Sequence, residues 1–348
     1  MSTFHKLAIK NYIQETANAV SLVFDIPENL KTNFSFKAGQ YLTLKTMING
    51  NEIRRAYSIC STPHSGDLKV AIKTVENGIF STHATSKLKV GDILEVYEPE
   101  GKFVLEPSKS NNYIGIAAGS GITPVLSMIK TVLEKEPSSS FTLVYGNKSS
   151  EETMFKSELD ELSRSYGSRF NLHYIFSRQK EEGSLFGRID KGHTNYYIKN
   201  IYKNWSFKTA FLCGPEEMIN TVSNTLIENG FKESQILFEL FTATVNEESV
   251  SEIKDGFSEV SVLLDDEEIC FTMKQTDDIL AAALRNNIDA PYSCQGGVCS
   301  SCLGKVTEGN AVMVKNSILT DQEVNEGFIL TCQAHPTTPK ISIDYDDV

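Results

Sequence analysis

The chain has 348 residues, enough for two or three domains. Its 40% hydrophobic and 22% charged content is ordinary for a globular protein and argues against wholesale disorder. No apolar run approaches the roughly 20 residues of a bilayer crossing, and a net charge of −12 argues against nucleic acid as a partner. The charge is uneven: residues 259–348 carry a net −10, residues 242–258 a net −3, and residues 1–241 a net +1. The N-terminal residues lack the apolar run of a secretory signal, so the expected location is the cytoplasm. Seven cysteines in that reducing setting read as cofactor ligation, not as a disulfide framework.

Residues 1–106 read as short strands, Val20–Asp25, Tyr41–Lys45, Ala56–Cys60, Leu68–Lys73 and Ile93–Tyr97 among them. Gly39, Gly50, Pro63, Gly66 and Gly91 punctuate them, which predicts an antiparallel β-barrel. From residue 107 to 241 the pattern changes. Apolar strands (Tyr113–Ala118, Phe141–Tyr145, Phe170–Phe176, Thr209–Cys213) alternate with helical stretches (Val125–Glu134, Met154–Ser163, Glu216–Asn229), which predicts an α/β domain with a parallel sheet. Residues 242–258 are polar and acidic and read as a linker. Residues 259–348 open with strands Glu259–Leu264 and Ile269–Met273. A short helix follows, with Thr276 as its expected N-cap and Ile279, Leu280, Ala283 and Leu284 on one face. Three domains are expected.

The sharpest motif is Cys294-Gln-Gly-Gly-Val-Cys299-Ser-Ser-Cys302, followed by a solitary Cys332. Structural zinc sites usually pair cysteines twice, whereas C-x4-C-x2-C with a distant fourth cysteine is the plant-type [2Fe–2S] spacing. Small residues between the ligands (Gly296, Gly297, Ser300, Ser301) let backbone N–H groups approach a cluster. Cys270, in an apolar strand, is expected in the core. The motif, together with Gly327-Phe-Ile-Leu-Thr-Cys332-Gln-Ala-His-Pro336, resembles the ferredoxin domains fused to oxygenase reductases. That resemblance implies a β-grasp fold for residues 259–348.

Upstream, Arg55-Ala-Tyr57-Ser58 resembles the R-x-Y-S segment of the ferredoxin–NADP reductase superfamily, and Gly78-Ile-Phe80-Ser81 resembles its second flavin segment. The resemblance implies that Tyr57 packs on the isoalloxazine and that Ser58 lies near flavin N5. It also implies that Arg55 pairs with cofactor phosphates, and that Gly78, Phe80 and Ser81 lie along the diphosphate. A flat aromatic suits a flat ring system, and a guanidinium suits phosphate oxygens. Phe238-Glu239-Leu-Phe241 resembles the end of plant-type reductases, where an aromatic covers the flavin; that role would fall to Phe241. FAD is expected in preference to FMN, because the chain looks less like FMN-dependent reductases of the phthalate dioxygenase type.

Gly119-Ser-Gly121-Ile-Thr123-Pro124 follows a predicted strand and opens a predicted helix, so its glycines and N–H groups can receive a pyrophosphate. With Cys213-Gly214-Pro215 at the end of a later strand, it resembles the superfamily's pyridine-nucleotide site. The Cys213 thiol would lie beside nicotinamide C4, a buried core thiol being the alternative. Ser58, Cys213 and Glu239 match the polar residues that this family gathers at its hydride-transfer centre. Ser177 and Arg178, at a strand end with no acidic residue immediately after, match the pair that holds the 2′-phosphate in NADP-specific relatives. NADPH is therefore expected, with NADH as the alternative.

The whole chain resembles a family of oxygenase reductases that serve phenylacetyl-CoA epoxidase and the ketosteroid hydroxylases. The implied route runs from NADPH to FAD, to the [2Fe–2S] cluster held by Cys294, Cys299, Cys302 and Cys332, and on to a separate oxygenase. Other acceptors (a steroid hydroxylase, a desaturase, a hybrid-cluster protein) remain open, as does an iron–sulfur redox sensor. The six histidines are scattered and form no facial triad. The acidic C-terminal module suggests docking on a basic acceptor surface through Asp289 or the Asp321, Glu323 and Glu326 group. Thr320 and Glu323 also fit a helix capping box.

Overall fold

The computed structural model describes residues 3–242 and 245–348. The chain folds as two compact units, Phe4–Glu239 and Leu240–Val348.

The first unit begins with β1 (His5–Thr16), β2 (Ala19–Asp25), β3 (Tyr41–Ile48), β4 (Asn51–Ser58), β5 (Leu68–Lys73), helix α1 (Ile79–Ser86) and β6 (Ile93–Val96). The strands form one antiparallel sheet in the order β4-β3-β6-β1-β2-β5. Asn49 and Gly50, both at positive φ (52° and 82°), make the two-residue turn that sets the β3–β4 register. An antiparallel bridge between Ile59 and Val70 joins the two ends of the sheet, so it closes as the predicted barrel. Leu7, Leu22, Leu42, Leu44, Val70 and Val96 fill its interior.

The same unit continues with β7 (Asn112–Ala118), α2 (Ile122–Lys135), β8 (Ser140–Asn147), α3 (Lys156–Tyr166), β9 (Phe170–Phe176), β10 (Leu185–Phe186), α4 (Lys191–Asn195), β11 (Phe207–Cys213), α5 (Glu216–Glu228) and β12 (Ile236–Glu239). All six strands are parallel, in the order β10-β9-β8-β7-β11-β12. The central strands are buried along nearly their whole length, as expected where helices cover both faces. Helix α3 starts later than Met154, because Phe155 takes a left-handed conformation (φ 59°) at its N-cap. The barrel and this sheet share a continuous core: Cys60, Phe103 and Leu105 pack in one cluster with Ile122, Phe141 and Phe211.

The second unit holds α6 (Glu247–Glu252), β13 (Phe257–Leu264), β14 (Glu267–Lys274), α7 (Ile279–Arg285), β15 (Leu303–Glu308), β16 (Ala311–Met313), α8 (Asp321–Asn325), β17 (Phe328–Leu330), β18 (Ala334–Pro336) and β19 (Lys340–Asp344). A mixed sheet, β14-β13-β19-β15-β17, shares its core with α7, the ferredoxin-like arrangement expected.

Four local expectations are corrected here. The stretch read as a linker contains α6, capped by the Asn246 side chain, which accepts from Glu248 N and Ser249 N at 3.0 and 3.3 Å. Strand β13 also begins inside that stretch, at Phe257. The N-cap of α7 is Asp278, not Thr276; its carboxylate accepts from Ala281 N at 2.7 Å. Cys270 is exposed on β14, the outermost strand of its sheet, instead of lying in the core. The Thr320–Glu323 capping box does form, with Glu323 Oε2 accepting from Thr320 N at 2.8 Å. That carboxylate serves the start of α8.

Candidate active site

The parallel sheet grows one way from β7 through β8, β9 and β10, and the other way through β11 and β12. Loops leaving the C-terminal ends of β7 and β11 therefore diverge, and the crevice between them is where such sheets place ligands. Both glycine segments singled out in the sequence sit there. Gly119–Gly121 forms a single turn between β7 and α2, with Gly119 at φ +56° and open space where a Cβ would stand. Cys213-Gly214-Pro215 leaves β11, with Pro215 as the N-cap of α5.

The two loops touch backbone to backbone. A Cβ added to Gly121 would collide with the Cys213 carbonyl, 2.5 Å from its carbon and 3.0 Å from Gly214 N. A Cβ on Gly214 would lie 3.3 Å from Ala118 N. Tyr145, buried in β8, donates its hydroxyl to Gly119 O at 2.9 Å and so fixes the first loop from below. The Thr123 hydroxyl donates to Ser120 O at 3.0 Å, and Pro124 is buried in the first turn of α2.

Three strands bring the polar residues together. Cys213 and Glu239 are register partners at the ends of β11 and β12. Ser58 ends β4, and its hydroxyl donates to Glu239 Oε2 at 3.1 Å. Burial pushes the Glu239 carboxyl up to about 8, against a smaller opposing effect of the Ser58 hydrogen bond. Cys213 is fully buried, and burial together with the Glu239 charge holds its thiol well above the ordinary range. At neutral pH the group is a neutral thiol, a largely protonated carboxyl and a hydroxyl: polar, able to hold a proton, and nearly uncharged.

Arg55 and Tyr57 precede Ser58 on the same strand. Arg55 Nη1 donates to Arg54 O at 2.6 Å, and the Tyr57 ring lies 5.5 Å from that of Phe80. Gly78 is the N-cap of α1 and contributes no side chain to its first turn. Ser81 is engaged within its own loop, accepting from Val75 N at 3.3 Å. Ser177 and Arg178 follow β9, tied to the end of β8 by Ser177 N to Asn147 O and Arg178 N to Lys148 O, both 2.9 Å. The Arg178 side chain is exposed. Asn147 was not foreseen: it ends β8 nearly buried, and its Nδ2 is without a partner. Phe241 belongs to the second unit and is exposed.

In the second unit, Cys299, Cys302 and Cys332 are buried, Cys294 is partly exposed, and all four are free thiols. Cys294 lies beside Cys299 and Cys332, and Cys332 beside Cys302, closely enough for each to perturb its neighbour's ionisation, so the four thiols are neighbours. Gly296 N donates to Cys294 Sγ at 3.3 Å. The loop bends through Gln295 and Gly297 at positive φ (53° and 73°), and a Cβ on Gly297 would stand 2.8 Å from Lys315 O. Gln333, also unforeseen, braces it from the far side by donating Nε2 to Gln295 O at 3.1 Å.

Three family models match in this order: an oxidoreductase FAD-binding domain over residues 6–105, an oxidoreductase NAD-binding domain over 116–224, and a 2Fe-2S iron-sulfur cluster binding domain over 262–337. A component of the 1,2-phenylacetyl-CoA epoxidase of Escherichia coli (strain K12) is 38% identical over 352 residues, covering 99% of both chains. The chain belongs to this family of oxygenase reductases. A further member, the ferredoxin reductase component of 3-ketosteroid-9-alpha-monooxygenase from Rhodococcus rhodochrous, is 30% identical over 97% of this chain and 96% of its own. The solved structure of phthalate dioxygenase reductase shares the fold, with a TM-score of 0.65 and 24% identity over 98% of each chain.

The residues of this oxygenase reductase fit the groups that its three domains imply. Four neighbouring free thiols with a backbone N–H on one sulfur suit a [2Fe–2S] cluster. The open Gly119 backbone at the N-terminus of α2 suits a pyrophosphate. The Tyr57 face and the Arg55 guanidinium, on alternate positions of β4, suit a flavin and its phosphates. Among the described residues no helix is long and apolar enough to cross a membrane.

Proposed function

We propose that this protein delivers electrons from NADPH to a separate oxygenase of the phenylacetyl-CoA epoxidase kind, and that it works in the cytoplasm. The observation that carries the reading is the meeting of Ser58, Cys213 and Glu239 at the switch point of a nucleotide-binding sheet, in a chain that also holds a four-thiol loop. When bound, FAD takes two electrons as hydride from NADPH and releases them singly to a [2Fe–2S] cluster.

The chain's own work is placement. Arg55 and the first turn of α1 at Gly78, Phe80 and Ser81 hold the flavin phosphates, while Tyr57 and Ser58 present one aromatic face and one hydroxyl. Gly119, Gly121, Thr123 and Pro124 receive the nucleotide pyrophosphate, and Gly214 and Pro215 let the nicotinamide approach beside Cys213. Glu239 accepts from the Ser58 hydroxyl and carries a proton of its own, which keeps the site nearly free of net charge while its thiol stays un-ionised. Phe241 is the aromatic that would cover the flavin until the nicotinamide displaces it. Ser177 and Arg178 favour NADPH over NADH: an exposed guanidinium at the end of β9 can meet a 2′-phosphate with two charge-assisted hydrogen bonds. Cys294, Cys299, Cys302 and Cys332 hold the cluster.

The 38% identity to an epoxidase component favours that acceptor over a steroid hydroxylase, a desaturase or a hybrid-cluster protein. The test is reconstitution. The purified chain is assayed for FAD, FMN, iron and zinc, then supplied with NADPH or NADH together with the oxygenase subunits of 1,2-phenylacetyl-CoA epoxidase or of a 3-ketosteroid monooxygenase. One FAD, two irons and NADPH-dependent epoxidation support the reading. Zinc in place of iron, or turnover only with the steroid oxygenase, overturns the corresponding part.

A further inference from the structure

Strand β14 is the outermost of its sheet, and among the described residues no strand pairs with its free side. An open edge presents a row of unpaired N–H and C=O groups, which proteins usually blunt by shortness, proline or a bulge. The opposite edge of this sheet is blunted in that way, since β17 is only three residues long. Strand β14 is not. It runs eight residues without proline or glycine, and its ladder with β13 is unbroken from the Glu267–Leu264 pair to the Lys274–Phe257 pair. Ile269, Phe271 and Met273 pack on the core, but only Met273 is buried; Ile269 and Phe271 are half-buried. The alternate row, Glu268, Cys270, Thr272 and Lys274, is exposed. Glu268 is steadied at one end of that row by the Ser261 hydroxyl, which donates to its Oε1 at 2.5 Å, and Lys274 stands at the other end.

Charge decides what this edge fits. Residues directly opposite in an antiparallel pair share a face, so a strand can pair with a copy of itself only about a residue, never between two. Centred on Phe271, self-pairing sets Glu268 against the partner's Lys274, twice by symmetry, and Cys270 against the partner's Thr272. On the core row it sets Phe271 against the partner's Phe271 and Ile269 against the partner's Met273. Centred on Cys270, it would instead set Glu268 against the partner's Thr272 and Glu267 against the partner's Met273, a carboxylate on an apolar side chain. Of these two central registers only the first matches charge to charge and apolar to apolar. We propose that two copies of this chain join through β14, antiparallel and about a two-fold axis at Phe271, so that their two five-stranded sheets become one. Such a contact uses the same patch on both copies and closes at two. It pairs the open backbone groups, covers Ile269 and Phe271, and adds two cross-strand ion pairs. The net −10 of residues 259–348 opposes association at long range. That repulsion is screened beyond about 8 Å at physiological ionic strength, whereas the ion pairs act at contact.

The test is sedimentation equilibrium of the full-length holoprotein at physiological ionic strength, over a range of micromolar concentrations. The wild type should pass reversibly from one to two chain masses. Glu268→Lys and Lys274→Glu each set like charges against one another at both symmetric positions, and each should weaken the dimer at least about tenfold. The double variant Glu268→Lys/Lys274→Glu restores both pairs with the signs exchanged and should dimerise as the wild type does. Circular dichroism of each variant separates dissociation from unfolding, and recovery in the double variant is a result that misfolding cannot give. A wild type that stays monomeric throughout overturns the proposal, as does a dimer that both single variants leave intact or an assembly that grows beyond two chains. Failure of the folded double variant to recover overturns it as well, because the register is then wrong.

Discussion

Replacing Glu239 by glutamine isolates one proton. The carboxyl moves from an ordinary 4.5 to about 8 on folding, with burial as the main cause. Between those two values the folded protein binds a proton that the unfolded chain has released. Stability therefore falls as pH rises through that window, by about 1.4 kcal/mol per pH unit at most. Over the whole window the loss reaches at most ~5 kcal/mol. Glutamine keeps the shape and can still accept from Ser58, but it carries no such proton. Near pH 5 the two proteins should melt within a degree or two of each other. By pH 9 the variant should be the more stable, by about 10 °C if each kcal/mol is worth roughly 2–4 °C in a unit of this size. Thermal melting of wild type and Glu239→Gln from pH 5 to 9 reads this directly. A difference that stays constant with pH would show that Glu239 is ionised at neutrality and that the site carries a formal negative charge.

Three further outcomes test the placement of the other groups. Gly121→Ala should lower the rate of flavin reduction by NADPH about a hundredfold, because relieving the collision with the Cys213 carbonyl separates the two loops by an appreciable fraction of an ångström; stopped-flow at the flavin band checks this, and a normal rate would mean the loops are not the nucleotide site. Arg178→Ala should cost roughly ten- to a hundredfold in kcat/KM for NADPH, the loss of a charge-assisted pair worth about 1.5–3 kcal/mol, while sparing NADH; equal losses with both coenzymes would remove Arg178 from the 2′-phosphate. Cys302→Ser should abolish the cluster signals yet leave flavin reduction by NADPH intact, since the thiols lie in a different compact unit from the Ser58–Glu239 pair.

The sequence was most legible where covalent or steric demands are local. The cysteine spacing announces its own chemistry, because four ligands on two irons leave few alternatives. The apolar runs of β7 and β8 announce a parallel sheet for a similar reason. The tight Asn49-Gly50 hairpin, which extends both its strands toward the turn beyond the expected Tyr41–Lys45 and Ala56–Cys60, reads in the sequence only as a glycine between strands. The misreadings come from short-range competition. Asp278 takes the cap of α7 from Thr276 because its carboxylate reaches Ala281 N at 2.7 Å. Asn246, with two acids behind it, starts a helix in a stretch whose low hydrophobicity looked structureless. Cys270 was placed by its apolar neighbours, but β14 is an edge strand and its outward face meets solvent.

The hydride-transfer constellation is a different matter, because no window of sequence contains it. Ser58 and Glu239 are 181 residues apart and meet at 3.1 Å only because the barrel and the parallel sheet share one core. Cys213 and Glu239 become neighbours through the register of two parallel strands joined by α5. Each residue alone reads as a buried serine, a core thiol or a strand-end acid, and only likeness to a family could name them together. Their joint environment is a product of the fold. Burial at the end of β12 raises the carboxyl, the carboxyl's potential charge raises the thiol, and the serine moderates the first effect. A substitution at Ser58 should therefore alter the protonation of Glu239, and one at Glu239 that of Cys213. That coupling is why the melting of Glu239→Gln has to be followed across pH and not at a single value.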